Sequence, residues 1–291
     1  MILHSTMQSD FVKPSFSVPI SSPDEHRIIC EFANRGYNIK QMLKACLTLH
    51  RSELEADIIR KNSHVMVLDG LFSGMLCGTH TLSSVLLAKI HGTYEREVQD
   101  LILEYGLNSD FFIDIGCAEG YYVNGIAYYC KIPSHGVDIN SSAEKLVLDT
   151  ASKNGISHLV SFSNSCSDLF VLRIGKGLIL IDVDGCEIDI LEELFSFLNS
   201  SVECKPSSII FIIETDLDQE YKPNTSLIVE FLVKQGVLIQ SIARQDPLRR
   251  FSDSCRHFSF LDQCIVGLEG RGAGQQWVLA EWFADKPIAK I

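Results

Sequence analysis

The sequence predicts an α/β fold, a mainly parallel sheet with a helical extension ahead of it, and three observations carry that. From residue 107 onward, short β-rich runs alternate with helix-length segments, the rhythm of βαβ units. The runs "LILIDV" and "IIFIIE" are apolar on both alternating sets of positions, as strands covered on both faces are. Before residue 107 the apolar residues keep a largely helical period instead.

The extension comes first. In "NIKQMLKACLTLHRSELEADIIRK", Ile39, Met42, Leu43, Cys46 and Leu47 share helical spacing with charges between them. "HVMVLDGLFSGMLCG" is too short and glycine-rich for a helix and reads as a strand or hairpin turning at Gly70, Gly74 and Gly78. "SSVLLAKIHGTYEREVQDLILEYG", residues 83–106, reads as further helix closed by a C-cap glycine, Gly106. Strands are then expected at 111–115, 135–139, 159–163, 178–183, 208–214, 237–243 and 277–282. Helices are expected at 119–130, 142–154, 168–174, 187–199 and 225–235. The domain division that follows is a loose Ser/Pro-rich arm over 1–22, a mostly helical region over 23–106 acting as a lid or dimer surface, and a sheet domain over 107–291. Gly/Pro clusters between 245 and 276 mark a late insertion.

With 46% hydrophobic residues the chain has ample core material, but no run of roughly 18 apolar residues that would cross a membrane. The first residues lack a basic region followed by a long apolar one, so no signal peptide is expected. A net charge of −12 argues against nucleic-acid partners. "ARQDPLRRF" is the nearest thing to a basic patch and reads as a solvated loop. Ten cysteines lie scattered, several in apolar runs, without metal-ligand spacing, which points to a reducing, cytoplasmic setting. Asn224, in "NTS", is better explained as a helix N-cap than as a glycosylation site.

The chemistry concentrates in "FFIDIGCAEGYYVNGIAYYC". Asp114 and Gly116 end a strand, and Ala118 and Gly120 lead into a helix. In open α/β sheets ligands sit beyond such strand ends, where glycines allow close approach and helix amides donate hydrogen bonds. The dinucleotide pattern G-x-G-x-x-G/A is not met, because Ala118 and Tyr121 stand at its second and third positions. The pattern present is D-x-G-x-x-x-G, whose acid suits a cationic ligand better than a pyrophosphate. The next strand ends in "VDIN", placing Asp138 to accept from a ribose diol. Together these favour S-adenosylmethionine (SAM) over a nicotinamide cofactor.

At these residues the chain resembles class I SAM-dependent methyltransferases, and most closely the FkbM-type branch and its uncharacterised relatives. "FSGMLCG…KIHGTYEREV", "IDIGCAEGYYVNGIA", "GVDIN" and "LILIDVDGCEIDIL" carry the likeness, the last resembling the branch's signature. The resemblance implies a Rossmann-like methyltransferase fold with seven strands. It implies Asp114, Gly116, Cys117, Ala118 and Gly120 around the methionine portion of SAM, and Asp138 on the ribose. Ile139, beside Asp138, joins that set. For the adenine side "SNSCSD" offers Ser165, Cys166 or Asp168, of which Ser165 is taken. Asp184 departs from the branch, which usually has Glu there.

For catalysis, Asp182 and Asp184 lie at or beyond the fourth strand's end. They are expected on opposite sides if the strand persists through both. Glu187 either caps the next helix or joins the site. Asp182, Asp184, Glu214 and Asp216 are spaced permissively for a divalent ion, but no metal is required by the reading. His257, on the late insertion, is a third catalytic candidate, and one of Tyr121 and Tyr122 lines the site. The expected activity is methyl transfer to a small-molecule hydroxyl of sugar, polyketide or lipid type. No membrane or nucleic-acid partner is expected, and a homodimer is compatible. A non-catalytic SAM-fold subunit and a nicotinamide oxidoreductase are the alternatives.

Overall fold

The computed structural model describes residues 27, 30–31, 34–82, 85–166, 174–200, 205–216, 224–246, 249–267, 269 and 275–284. The expected arm over 1–22 and most of the expected helix 168–174 lie outside them. The chain forms two compact units, residues 1–50 and 51–291. Helix α1, Ile39–Lys61, begins in the first and ends in the second. Its start is a reciprocal capping box: the Asn38 amide donates to Gln41 Oε1 and the Gln41 amide to Asn38 Oδ1, both at 2.9 Å.

In the second unit, β1 (His64–Met66) and β2 (Leu76–Gly78) make the expected antiparallel hairpin. The stretch expected to be one helix is two, α2 (Leu86–Ile90) and α3 (Arg96–Tyr105). Gly92 at φ +66° and Glu95 at φ +43° turn the chain between them. Gly106 is right-handed, not a left-handed cap, and opens a 3₁₀ turn. A Cβ there would make a tight contact, 3.1 Å from Cys130 Sγ.

Then follow β3 (Phe111–Ile115), α4 (Tyr121–Tyr129), β4 (Ser134–Val137), α5 (Ser141–Lys153), β5 (Val160–Ser163) and β6 (Gly175–Ile181). After these come α6 (Glu187–Leu198), β7 (Pro206–Thr215), α7 (Thr225–Lys234), β8 (Leu238–Arg244), α8 (Phe260–Val266) and β9 (Gln276–Phe283). The seven strands order as β5-β4-β3-β6-β7-β9-β8. All neighbours are parallel except β9, which runs antiparallel between β7 and β8. This is the expected Rossmann-like α/β architecture.

Period-two alternation sorts the central strands between two cores. Ile179, Ile181, Phe211 and Ile213 face α6 and α7, while Leu178, Leu180, Ile210 and Ile212 face α3, α4 and the hairpin. Residues 64–105 are therefore packed onto the sheet, closing its second face. No helix of the described residues is long and apolar enough to cross a membrane.

Candidate active site

The chain runs outward from β3 through β4 to β5, then returns to place β6 on the other side of β3. Such a reversal separates neighbouring connections and leaves a crevice at the strands' carboxyl ends. A cavity of about 830 Å³ opens there.

One side of it is the turn after β3. The amides of Gly116 and Cys117 both donate to the Val137 carbonyl, at 2.8 and 3.0 Å, folding the turn back over β4. Gly116 has φ +87°, and a Cβ on it would collide with the Asp182 carbonyl. Gly120 has φ +80°, and its Cβ would meet Val147 Cγ2 at 2.6 Å. The glycines are thus demanded by packing against β6 and α5, a stricter reason than the ligand approach expected of them. Asp138 ties the turn to the next strand end: Oδ2 accepts from the Ala118 amide and Oδ1 from the Asn140 amide, both at 2.8 Å. Each of these carboxylate oxygens keeps a second lone pair. Ile139, beside it, is 95% exposed, an aliphatic side chain held out at the cavity wall. Ser165 and Cys166 line the same end, where the Asn164 amide group donates to the Asp138 carbonyl at 2.9 Å. Asp168 lies outside the described residues. Cys117 is buried in the wall, and burial pushes its thiol well above the usual range.

The opposite side is acidic. Asp114, Asp182 and Glu214 come from three adjacent strand ends and belong to one sheet face. Asp114 is buried, and among the described residues its carboxyl has no hydrogen-bond partner. Burial and then Asp182 and Asp138 push its pKa far up. Asp182 and Glu214 share a hydrogen bond and hold a proton between them. Burial first, then the Asp182 charge, pushes Glu214 up to about 11, and burial raises Asp182 as well. A carboxyl whose pKa is raised by folding gives stability that is complete below its unfolded value and lost as pH rises toward the folded one. Stability should therefore fall from about pH 5 upward. Glu214→Gln, which keeps a donor but cannot ionise, should flatten that slope by up to ~1.4 kcal/mol per pH unit in urea titrations.

β6 ends at Ile181, so Asp182 and Asp184 do not alternate along a strand. Asp184 sits exposed in the following turn at φ +50°. Glu187 does not reach the cavity; Oε1 accepts from the Gly185 amide at 2.9 Å and Oε2 from Asn224 Nδ2 at 3.0 Å. Asn224 does hold the N-cap position of α7, but its side chain serves Glu187 rather than the helix amides. His257 is exposed, its ring 4.2 Å from that of Phe258, and it is not part of the cavity wall. Among the described residues, no three His, Cys, Asp or Glu side chains are grouped to hold a metal ion.

Several wall residues were not singled out from the sequence. Lys89 pairs with Glu119 in a buried ion pair and lies over the rings of Tyr94 (4.6 Å) and Tyr121 (5.2 Å). Glu119 also accepts from the Leu82 amide at 2.8 Å, so the acid of "CAEG" anchors residues 82–89 to the turn. Arg250, expected in a solvated loop, is buried. It donates to Glu97 at 2.7 Å and the Thr93 carbonyl at 2.9 Å, and lies 3.0 Å from Glu269, which in turn accepts from the Glu95 amide at 3.0 Å. Burial lifts Glu269 to about 8 despite Arg250. Among the described residues four non-glycines have positive φ, and three of them, Glu95, Ala118 and Asp184, line this cavity. Unfavourable backbone of this kind gathers at functional sites because the surrounding structure has to hold it in place.

No protein-family model matches the sequence, and no curated protein does. Among solved structures, the fold is similar to a putative methyltransferase, yhhF, from Escherichia coli, at 8% identity over 76% of this chain and 99% of that one, TM-score 0.46. It is similar to an RNA methyltransferase from Salinibacter ruber in complex with S-adenosyl-L-homocysteine, at 14% identity over 67% and 95%, TM-score 0.37. A third is geranyl diphosphate C-methyltransferase from Streptomyces coelicolor, at 15% identity over 68% and 81%, TM-score 0.41.

Proposed function

We propose that the chain is a SAM-dependent methyltransferase that methylates a small-molecule hydroxyl. One observation carries the reading: the glycine turn, Asp138 and Ile139 open into the same cavity as a hydrogen-bonded carboxyl pair on the adjoining strand ends. The residues fit the cofactor. Asp114 is a buried carboxyl with no hydrogen-bond partner among the described residues, suited to an ammonium group. Asp138 retains lone pairs for a ribose diol, and Ile139 offers an apolar surface to a base. Cys117, Ala118 and Ser165 complete that wall, with Gly116 and Gly120 shaping it. When bound, SAM supplies an electrophilic methyl group and leaves as S-adenosylhomocysteine.

The chain's own part is orientation and proton handling. Asp182, hydrogen-bonded to Glu214, takes the proton of the acceptor oxygen as that oxygen gains the methyl group. Asp184 stands at the rim, where an incoming acceptor passes. Asp182→Asn should cut kcat by about 10² to 10⁴ while leaving S-adenosylhomocysteine affinity within a few fold. Unchanged turnover would remove Asp182 from the proton path.

The test of the cofactor is calorimetric titration with S-adenosylhomocysteine beside NAD. Binding of the first and not the second is expected. Ile139→Ser is a companion: so exposed a residue should change stability by less than ~0.5 kcal/mol. Its loss should nevertheless weaken S-adenosylhomocysteine about tenfold, corresponding to ~1.4 kcal/mol of lost apolar contact.

A further inference from the structure

The helix after β6 supplies a wall that the glycine turn does not. Cys186, at the N-cap of α6, shares one helix face with Ile190 and Glu193 at the spacing i, i+4, i+7, and all three line the cavity. The adjoining face, Leu191, Leu194, Phe195 and Leu198, is buried in the core. The packing that orients the helix thus also sets Glu193 on the cavity. Glu193 is exposed, so nothing in the protein has to move for a ligand to reach it.

Its neighbours fix which end of the cavity Glu193 serves. Burial and then the Glu193 carboxylate push the Cys166 thiol up to about 11, so that carboxylate lies beside the loop leaving β5. The loop is tied to the cofactor wall, because Asn164 Nδ2 donates to the Asp138 carbonyl at 2.9 Å, one residue before Ile139. It is also held from within the sheet: Ser163 Oγ donates to the Ser165 carbonyl at 3.0 Å and lies 2.9 Å from His135 Nε2. Glu193 therefore shares with Ile139 the end of the cavity assigned above to the base.

What this carboxylate lacks is a donor. Among the described residues Glu193 has no hydrogen-bond or ion-pair partner. Ile139 and Ile190 present apolar surface to the same space, so a base held there is identified by its edge. At position 6 adenine carries an amino group with two N–H donors, and hypoxanthine carries a carbonyl oxygen instead. A carboxylate accepts from the first and repels the second.

We propose that Glu193 is a specificity residue for the cofactor, accepting a hydrogen bond from the 6-amino group of the bound adenine, and that it makes the pocket reject 6-oxopurine analogues. This rests on the methyltransferase reading above. The test is calorimetric titration of the full chain with S-adenosylhomocysteine and with S-inosylhomocysteine, its 6-oxo analogue. Wild type is compared with Glu193→Gln and with Glu192→Gln. Glutamine at 193 can turn its own NH₂ toward a 6-oxo group. Glu192 is exposed and does not line the cavity, so its variant removes the same charge away from the base. Both are surface changes, and a thermal melt within about 2 °C of wild type checks the fold.

Wild type should prefer the adenosyl ligand by about tenfold or more. In Glu193→Gln that ratio should fall by about fivefold or more, and in Glu192→Gln it should stay as in wild type. Equal affinities in wild type, an unchanged ratio in Glu193→Gln, or an equal fall in Glu192→Gln would each overturn the assignment of Glu193 alone. Absence of S-adenosylhomocysteine binding by wild type would overturn the methyltransferase reading, and this inference with it.

Discussion

Alanine in place of Asp138 is expected to lower the affinity for S-adenosylhomocysteine at least 100-fold in a protein that still unfolds cooperatively. Two hydrogen bonds from a ribose diol to a carboxylate, each of about 1.5–3 kcal/mol, are enough for that loss. Asp138 also accepts from the Ala118 and Asn140 amides, so the turn itself loosens when the side chain is removed. That second effect should appear separately, as a drop of about 1–3 kcal/mol in urea unfolding. Asp138→Asn distinguishes the two. It keeps one acceptor for the backbone and should recover most of the stability but little of the affinity. Calorimetry and circular dichroism on the same samples give both readings, and retained affinity in the alanine variant would move the ribose elsewhere.

Arg250→Leu should cost about 3–5 kcal/mol at pH 7, the largest stability change expected of any single substitution here. The guanidinium is buried between Glu97 and Glu269, and its removal strands the Glu97 carboxylate in a dry site. The sign of the pH effect follows. Glu269 is already raised to about 8, and without Arg250 it would rise further. Through Glu269 the wild type loses stability as pH rises only to about 8, while the variant goes on losing it beyond, so the variant's deficit should widen above about pH 8 in urea titrations. A deficit that is small or flat with pH would mean that water reaches the network. Because Glu269 accepts from the Glu95 amide, the same substitution should also release the left-handed turn that lines the cavity.

Much of this architecture was legible because its signals are local. Six of the seven strands begin within a residue or two of where apolar runs placed them, and β3 matches at both ends. Asp114, Gly116, Asp138 and Ile139 meet at one cavity because strand ends in an open sheet converge whatever lies between them. What could not be read depends on contacts distant in sequence. Around the break at Gly92–Glu95 the backbone is held by Arg250 and Glu269, 157 and 174 residues beyond the groups they bond, and helical periodicity is blind to that. "ARQDPLRRF" looks solvated until Glu97 is brought against it. The Asp182–Glu214 pair joins β6 to β7, and neither run alone reveals that the two carboxyls would share a proton. β9 was placed correctly but not its direction, since an isolated strand pattern has no polarity.

That direction has a consequence for the chain as it is made. β7 carries "IIFII" in its middle and pairs on one side with β6, while its other side waits for β9. β9 is synthesised about 60 residues later, after α7, β8 and α8. At ribosomal speeds of about 5–20 residues per second, that leaves the edge of a strongly apolar strand bare for roughly 3–12 s. A bare, flat, apolar edge is a template for another chain's strand. β8 cannot shield it, because β8 joins the sheet only through β9. The last strand to emerge is thus the one that closes the sheet, and nascent chains stalled before residue 276 should depend on chaperones far more than the finished protein does.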